Sequence, residues 1–497
     1  MSTEVAGGPD TLGERKLTTL HAIGQSLALG PMFSVGIVLG SVSTGARWNA
    51  TLSVLIAGLG VLAIGYAVAI FARRYAGAGA VYEYLTNGAH PAVGIFAAGV
   101  FFIGAIFLGG GGIYLGLGIL TNGFWVEHIS SSAPDWWIFA LIFLGVTLVL
   151  NYIGVRVAIG AMLTMSAISF IPMLFLGIVM VVKGGAGGNT LEVFNPGTTS
   201  VSTAFNGVLL AILLFVGFEA AASIGEESKD PKRAIPRAVL GTVAASAAFF
   251  VFMAYSISIG LGQKAVEGGA WLDPAVLDKL ATHYVGSWLG TIIDLVVILD
   301  AFGLALAICV TIGRGFFALG RDGLLPKVFA KTSRHDTPWV GNLMVAVGGI
   351  GLIVLSETAG YNKQFHGGFG TDQFATFILA ATIGSFMVEV VYVMLAIVAV
   401  KLVLEDGGAG VWWRLIVLLV AIATPILGFK GALWPSPHDS SNYNWVALYW
   451  SIGILAVAAV WLVICMVFRP KQVKGAAQHG IVHEPSGIPA LEDPMRY

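Results

Sequence analysis

Charge-poor apolar stretches long enough to cross a bilayer recur along this chain, and nothing else in it constrains the fold as strongly. A helix needs about 20 such residues to traverse the hydrocarbon core. Twelve stretches qualify, at about 17–43, 50–72, 92–121, 136–155, 157–182, 203–225, 238–262, 286–312, 339–356, 373–400, 412–429 and 446–468. In hydrocarbon, backbone polar groups must be satisfied within the segment, so the expected class is an all-α membrane protein with twelve transmembrane helices. Charged residues make up only 11% of the chain and hydrophobic ones 57%, which excludes an ordinary water-soluble globule. With 26 Lys and Arg against 27 Asp and Glu, there is no basic surface on the scale that nucleic acid requires. Cys309 and Cys465 both lie in apolar runs, giving neither a disulfide framework nor a thiolate metal site.

The first apolar run is too long for a signal-peptide core and reads as a retained helix. Twenty of the 26 Lys and Arg fall on the side of the two tails. The other six are Arg47, Lys183, Lys264, Lys279, Lys363 and Lys430. Positive residues collect on the cytoplasmic side, so both termini are expected there, in a plasma (inner) membrane. Two spans carry backbone breakers at corresponding positions: Gly30-Pro31 in the first, and Gly217 in the sixth. Each opens a set of five spans, and because five is odd the second set runs inverted. The chain then divides into a tail (1–16), a first five-helix repeat (17–183), a second, inverted one (201–402), helices 11 and 12 (412–468) and a second tail (469–497). Inverted repeats with discontinuous helices build sites near the membrane midplane. The alternative is that the breakers only kink or pack the helices.

Four acids lie within spans: Glu219, Asp294, Asp300 and Glu389. Such residues are costly in hydrocarbon and face a bundle interior. Burial between Phe218 and Ala220 disfavours a charged Glu219, making it a candidate to carry or report a proton, or else to donate a structural hydrogen bond to backbone freed by the break. Asp300, near a helix middle, is placed to hold a proton, a sodium ion or a substrate ammonium. Asp294 is nearer the outer end and hydrated. Glu389 either lines the path or hydrogen-bonds within the bundle. Glu226 and Glu227 pair with Arg314 and Arg321 to close an inner gate, pair with the cations of KDPKRAIPRA (229–238), or simply belong to a solvated loop. That cationic segment suits anchoring at anionic lipid. The glycines 109–112 lack the strand and Lys of a nucleotide loop, and His21 has no second His at ligand spacing, so no cofactor and no metal are implied.

The run GFEAAASIGEESKDPKRAIPRAV (217–239) resembles the signature of the amino acid, polyamine and organocation transporter superfamily. RRYAGAGAVYEY (73–84), NYIGVRVA (151–158) and GRGFFALGRDGLLPKVFA (313–330) agree with it in order. The resemblance covers nearly the whole chain. It implies a LeuT-like 5+5 inverted repeat with broken helices 1 and 6, plus two extra C-terminal helices. It also implies a substrate site with Leu27, Leu29, Gly30, Pro31, Met32 and Phe33 on one wall and Leu213, Phe215, Val216, Gly217 and Phe218 on the other. An amino acid's carboxylate would suit the start of the second half of span one, and its ammonium the carbonyls of the broken ends. Here the chain departs from the pattern: the family's Gly, Ser or Thr, Gly motif is replaced by Leu29-Gly30-Pro31. Pro31 has no amide hydrogen, so one carboxylate donor is missing and an amine or polyamine stands beside an amino acid as substrate. Some proton-coupled relatives place a Lys in span five where this chain has a residue near Ser169. Coupling would therefore fall to Glu219 or Asp300, or the chain would exchange substrates without an ion. The expected function is a permease that moves amino acids by alternating access, in proton-coupled uptake or exchange. Its partners are the small-molecule substrate, a proton or sodium, and membrane lipid, with oligomeric state open. A channel would need a repeated pore loop and an enzyme a catalytic constellation, and neither is visible.

Overall fold

Where the sequence puts apolar runs, helices form. A computed structural model of the chain describes Leu12 and residues 16–27, 30–366, 368–408, 410–434 and 438–478. Leu29 and the greater part of both tails lie outside the described residues. Among those described, ten helical stretches are long and apolar enough to cross a membrane, and the first, Thr19–Ala72, takes in both the first and second apolar runs. The sixth run appears as the shorter apolar stretch Val208–Ile224. Extended pairing among the described residues is limited to an isolated bridge between Leu17 and Ser228. The chain is an integral, all-helical membrane protein.

Its exterior is that of a protein solvated by lipid. Ile171, Val182, Val347, Leu419, Val460 and Phe468 point outward, a display of apolar surface that water would not tolerate. Trp412 and Trp434, exposed beside the ends of the Val411–Leu433 helix, suit the interfacial belt where amphipathic rings settle.

Both described chain ends lead to one face, here the terminal face. Leu17 donates to the Glu227 carbonyl at 2.9 Å and accepts from Lys229 at 2.9 Å, and Ala477 donates to Asp322 at 2.7 Å. Inside the bundle, the Pro231–Leu261 helix packs on Ala50–Ala72, and Ser287–Arg321 on Val155–Val182. Small residues allow the closest approaches. Residues 106–112 wind as a π-helix, and the glycines there pack against Ile308 and Leu352 of neighbouring helices. This is the close-packing role their composition suggests.

Two helices are interrupted where the sequence places its breakers. Thr19–Ser26 stops short of Gly30, whose φ of +53° and ψ of 71° are left-handed. A proline disfavours helix at the preceding residue, and only glycine takes this conformation without steric cost. A second helical half resumes at Pro31 and runs to Ala46. Likewise Val208–Leu213 ends before Gly217, at φ +115°, and Phe218–Ile224 resumes as a tighter 3-10 turn. Ser26 links the two breaks by donating to the Phe218 carbonyl at 2.8 Å.

Candidate functional site

Between the two breaks lies a cavity of about 30 Å³ lined by Phe33, Ser34 and Val38 from the first broken helix, Leu213 and Val216 from the second, and Leu108, Leu304, Ile308 and Phe377 from neighbours. Its lining is largely apolar, and it has room for no more than a water or two. Of the residues expected at the site, Phe33, Leu213 and Val216 line this space. Gly30, Pro31, Met32 and Gly217 form the breaks themselves without lining the cavity, and Leu27 caps the first half-helix. Phe215 turns aside to stack edge-on with Phe250 at 5.0 Å, and Phe218 meets Tyr392 at 5.6 Å. Leu29 lies outside the described residues.

Two of the four intramembrane acids, Asp300 and Glu219, meet the breaks. Asp300 is fully buried. Its Oδ2 accepts the backbone N–H groups of Met32 at 2.8 Å and Phe33 at 3.0 Å, while Oδ1 accepts the Ser166 hydroxyl at 2.8 Å. Glu219 Oε2 accepts the Gly217 N–H at 3.1 Å and the Tyr392 hydroxyl at 2.8 Å. Each break is thus capped by one carboxylate, as the exposed amides and positive end of a helix start require. Ser169, the expected coupling position, donates to the Val296 carbonyl at 3.0 Å instead. Ser166, one turn earlier, is the residue that reaches Asp300. Asp294 stands apart, with its Oδ2 3.3 Å from His128 Nε2. Glu389 accepts from Ser385 at 2.9 Å within its own helix, the bundle-internal role that the sequence left open.

Toward the terminal face stands a cluster of buried ion pairs. Arg314 Nε donates to Glu227 Oε2 at 2.7 Å, and Arg321 grips Glu226 with two bonds of 2.9 and 2.8 Å, the bidentate form that guanidinium and carboxylate favour. Of the alternatives for Glu226 and Glu227, pairing with Arg314 and Arg321 is the one observed. Sequence reasoning missed a third acid here. Glu83 follows the AGAG turn, lies fully buried 3.6 Å from Arg321, and accepts the Gly79 N–H at 3.1 Å. Burial pushes its carboxyl up to about 8, the Glu226 charge adding to the rise and Arg321 opposing it. Asp322 accepts from Tyr82 at 2.6 Å beside it, and burial together with that carboxylate raises the Tyr82 phenol well above its usual range.

On the far face a vestibule of about 680 Å³ opens, lined by Thr44, Arg47, Thr203, Asn206, Phe369, Ser441 and Asn444 among others. Aromatic rings lead inward from it: Phe369 to Phe374 at 6.3 Å, Phe374 to Phe377 at 6.0 Å, and Phe377 to Phe33 at 6.0 Å. The last two rings line the central cavity, so these phenylalanines separate vestibule from cavity.

The family model described as "Amino acid permease" matches residues 22–460. The chain belongs to the amino acid permease family. Its sequence is 23% identical to a low-affinity putrescine importer, PlaP, of Escherichia coli K12, over 57% of this chain and 62% of that protein. It is 31% identical to a glutamate/gamma-aminobutyrate antiporter of Lactococcus lactis over 31% of each chain. A polyamine transporter of Arabidopsis thaliana, RMV1, matches at 29% identity over 28% of this chain and 27% of its own. The match thus spans less than two thirds of the length of each of these relatives. Among solved structures, a manganese transporter of Eremococcus coleocola superposes with a TM-score of 0.57 at 12% identity, covering 92% of this chain and 95% of that one. At that identity the likeness is one of fold. Family membership accounts for the order of motifs from residue 73 to residue 330 that the sequence carries.

Proposed function

We propose that this chain is a secondary transporter that carries small amine-bearing solutes, amino acids or amines, across the membrane by alternating access. The observation that carries the reading is the pair of helices broken at Gly30 and Gly217 around a small central cavity, with a polar vestibule on one side of it and buried ion pairs on the other. A space of about 30 Å³ admits no solute, so binding requires the helices to part, first on the side of the phenylalanines and then on the side of Arg314 and Arg321. The relatives described as a putrescine importer, a glutamate/gamma-aminobutyrate antiporter and a polyamine transporter support the solute class.

In this reading the twelve apolar runs are twelve crossings, residues 17–183 and 201–402 are inverted repeats, and the terminal face is cytoplasmic. Leu27, Leu29, Gly30, Pro31, Met32, Phe33, Leu213, Phe215, Val216, Gly217 and Phe218 frame the solute. Glu219 and Asp300 are the candidates for proton coupling, with Ser166 and Ser169 on the helix facing Asp300. Transport runs as uptake or exchange.

A thermal-stability panel on the purified, detergent-solubilised chain tests this, with amino acids, diamines and primary amines added with and without sodium. A solute bound by the native state raises apparent stability by RT ln(1 + [L]/Kd). Saturable stabilisation by at least one of these classes is expected. No shift from any of them at millimolar concentration would remove the proposed solute class.

A further inference from the structure

The start of the second half of the first broken helix is the position at which a membrane helix would normally offer amides to an anion. Every donor of that first turn is accounted for. Pro31 has no N–H. Met32 and Phe33 both donate to Asp300 Oδ2, at 2.8 and 3.0 Å. Ser34 donates to the Gly30 carbonyl at 2.8 Å, and Gly30 itself to Leu27 at 3.0 Å. The seat for an anion is thus held by a side chain of the chain's own Ser287–Arg321 helix. Ser166 steadies that side chain from a third helix.

The second break repeats the arrangement. The Gly217 N–H goes to Glu219 Oε2, Phe218 donates to the Phe215 carbonyl at 3.3 Å and Ala220 to the Gly217 carbonyl at 3.0 Å. Two buried carboxylates therefore flank a cavity whose lining contains no charged side chain. A solute carboxylate brought there would meet occupied amides and, at Asp300, a group of its own sign. An ammonium would meet a group of opposite sign in a low-dielectric setting, where such attraction is strong.

We infer that Asp300 is a built-in anion at the first break and a specificity-determining residue: it fills the seat that a substrate carboxylate would take, and so selects amines and diamines lacking a carboxylate over the corresponding amino acids. The inference rests on the transporter reading given above and sharpens its solute class. The effect is rejection as much as attraction, since a carboxylated solute must displace Asp300 from two backbone bonds before it can bind. Pro31 works in the same direction by removing the one further donor with which the turn could have held both anions.

The test uses solute pairs that differ only in the carboxylate: putrescine against ornithine, cadaverine against lysine, and phenethylamine against phenylalanine. The full chain is reconstituted in proteoliposomes, and each labelled compound is followed for uptake and for competition. Wild type is expected to favour the decarboxylated member of a pair by at least about tenfold, the discrimination set by one charge-assisted contact. Asp300→Asn, which keeps a side chain of the same shape while removing its charge, is expected to cut that ratio by about tenfold and to raise use of the amino acid. Ser166→Ala, which releases Oδ1 but leaves both amide bonds, shifts the ratio the same way by less. The wild-type ranking needs no variant and stays decisive if Asp300→Asn fails to fold. Preference for the amino acid member in wild type overturns the inference while leaving the transporter reading standing. An amine preference unchanged in Asp300→Asn overturns the assignment to Asp300. Saturable uptake of neither member of any pair overturns both the inference and the transporter reading.

Discussion

Removing Arg314 should damage this fold more than removing any cation on its surface. The guanidinium and the Glu227 carboxylate meet at 2.7 Å with side-chain exposures of 2% and 7%. Pairs exposed to water contribute about 0–1 kcal/mol. A buried pair differs because deleting one partner strands the other charge in low dielectric, at a cost of about 3–5 kcal/mol, whereas replacing both with apolar groups is close to neutral. Arg314→Met and Glu227→Leu are therefore each expected to cost about 3–5 kcal/mol, and the double replacement about 1–2 kcal/mol, leaving a coupling of several kcal/mol between the two sites. Unfolding of the detergent-solubilised full chain by titration with sodium dodecyl sulfate, followed by loss of helical circular dichroism, gives the four stabilities of the cycle. Single losses below about 1 kcal/mol, or a double loss equal to the sum of the singles, would refute the assignment of this pair as a desolvated seal and return it to the class of solvated surface pairs.

Other perturbations follow from the same geometry. Because the Glu83 carboxyl rises to about 8 in the folded chain, the native state holds its proton where the unfolded chain has released it. Stability should then fall as pH rises from the unfolded value near 4.5 through 8, the penalty being absent below that window and complete above it. Thermal denaturation between pH 5 and 9 should show this slope weakened in Glu83→Gln, and identical slopes would exclude Glu83 as its source. A Cβ on Gly30 would sit 2.9 Å from Leu304 Cδ2 at a left-handed φ of +53°, so Gly30→Ala should lose about 2–4 kcal/mol from backbone strain and overpacking, read by the same titration. A side chain on Gly77 would overlap the Glu83 carboxylate, and Gly77→Ala should lower the melting temperature far more than Ala76→Gly. Glu219→Gln should flatten the dependence of uptake on external pH, and an unchanged profile would take Glu219 out of the proton path.

The apolar runs, the two breaks and the four intramembrane acids were legible in the sequence because each has a local cause. Pro31 cannot donate, and an acid between Phe218 and Ala220 stands out against its neighbours. What escaped was set by tertiary approach. Ser166 and Ser169 are one helical turn apart, and only the packing of Val155–Val182 on Ser287–Arg321 decides which hydroxyl meets Asp300. Glu83 sits in a polar stretch between two apolar runs, where an acid normally implies a solvated face. The glycines at 77 and 79, just ahead of it, were the available signal that its carboxylate folds back onto backbone. The vestibule draws residues from regions as distant as Thr44, Thr203, Phe369 and Asn444, and no periodicity in one segment reports such a meeting. Phe33 was expected at the site, but its alignment with Phe377 and Phe374 from cavity to vestibule is a property of the assembled bundle.

The central claim is that solute crosses at the meeting of the two broken helices by alternate opening of the far and terminal faces. Counterflow in proteoliposomes tests it most directly: vesicles holding the full chain are loaded with unlabelled putrescine, and a trace of labelled putrescine is added outside. Transient, saturable accumulation of label that requires internal solute is expected, with its loss in Gly30→Ala protein that still folds. Label that equilibrates without overshoot and without saturation would contradict alternating access.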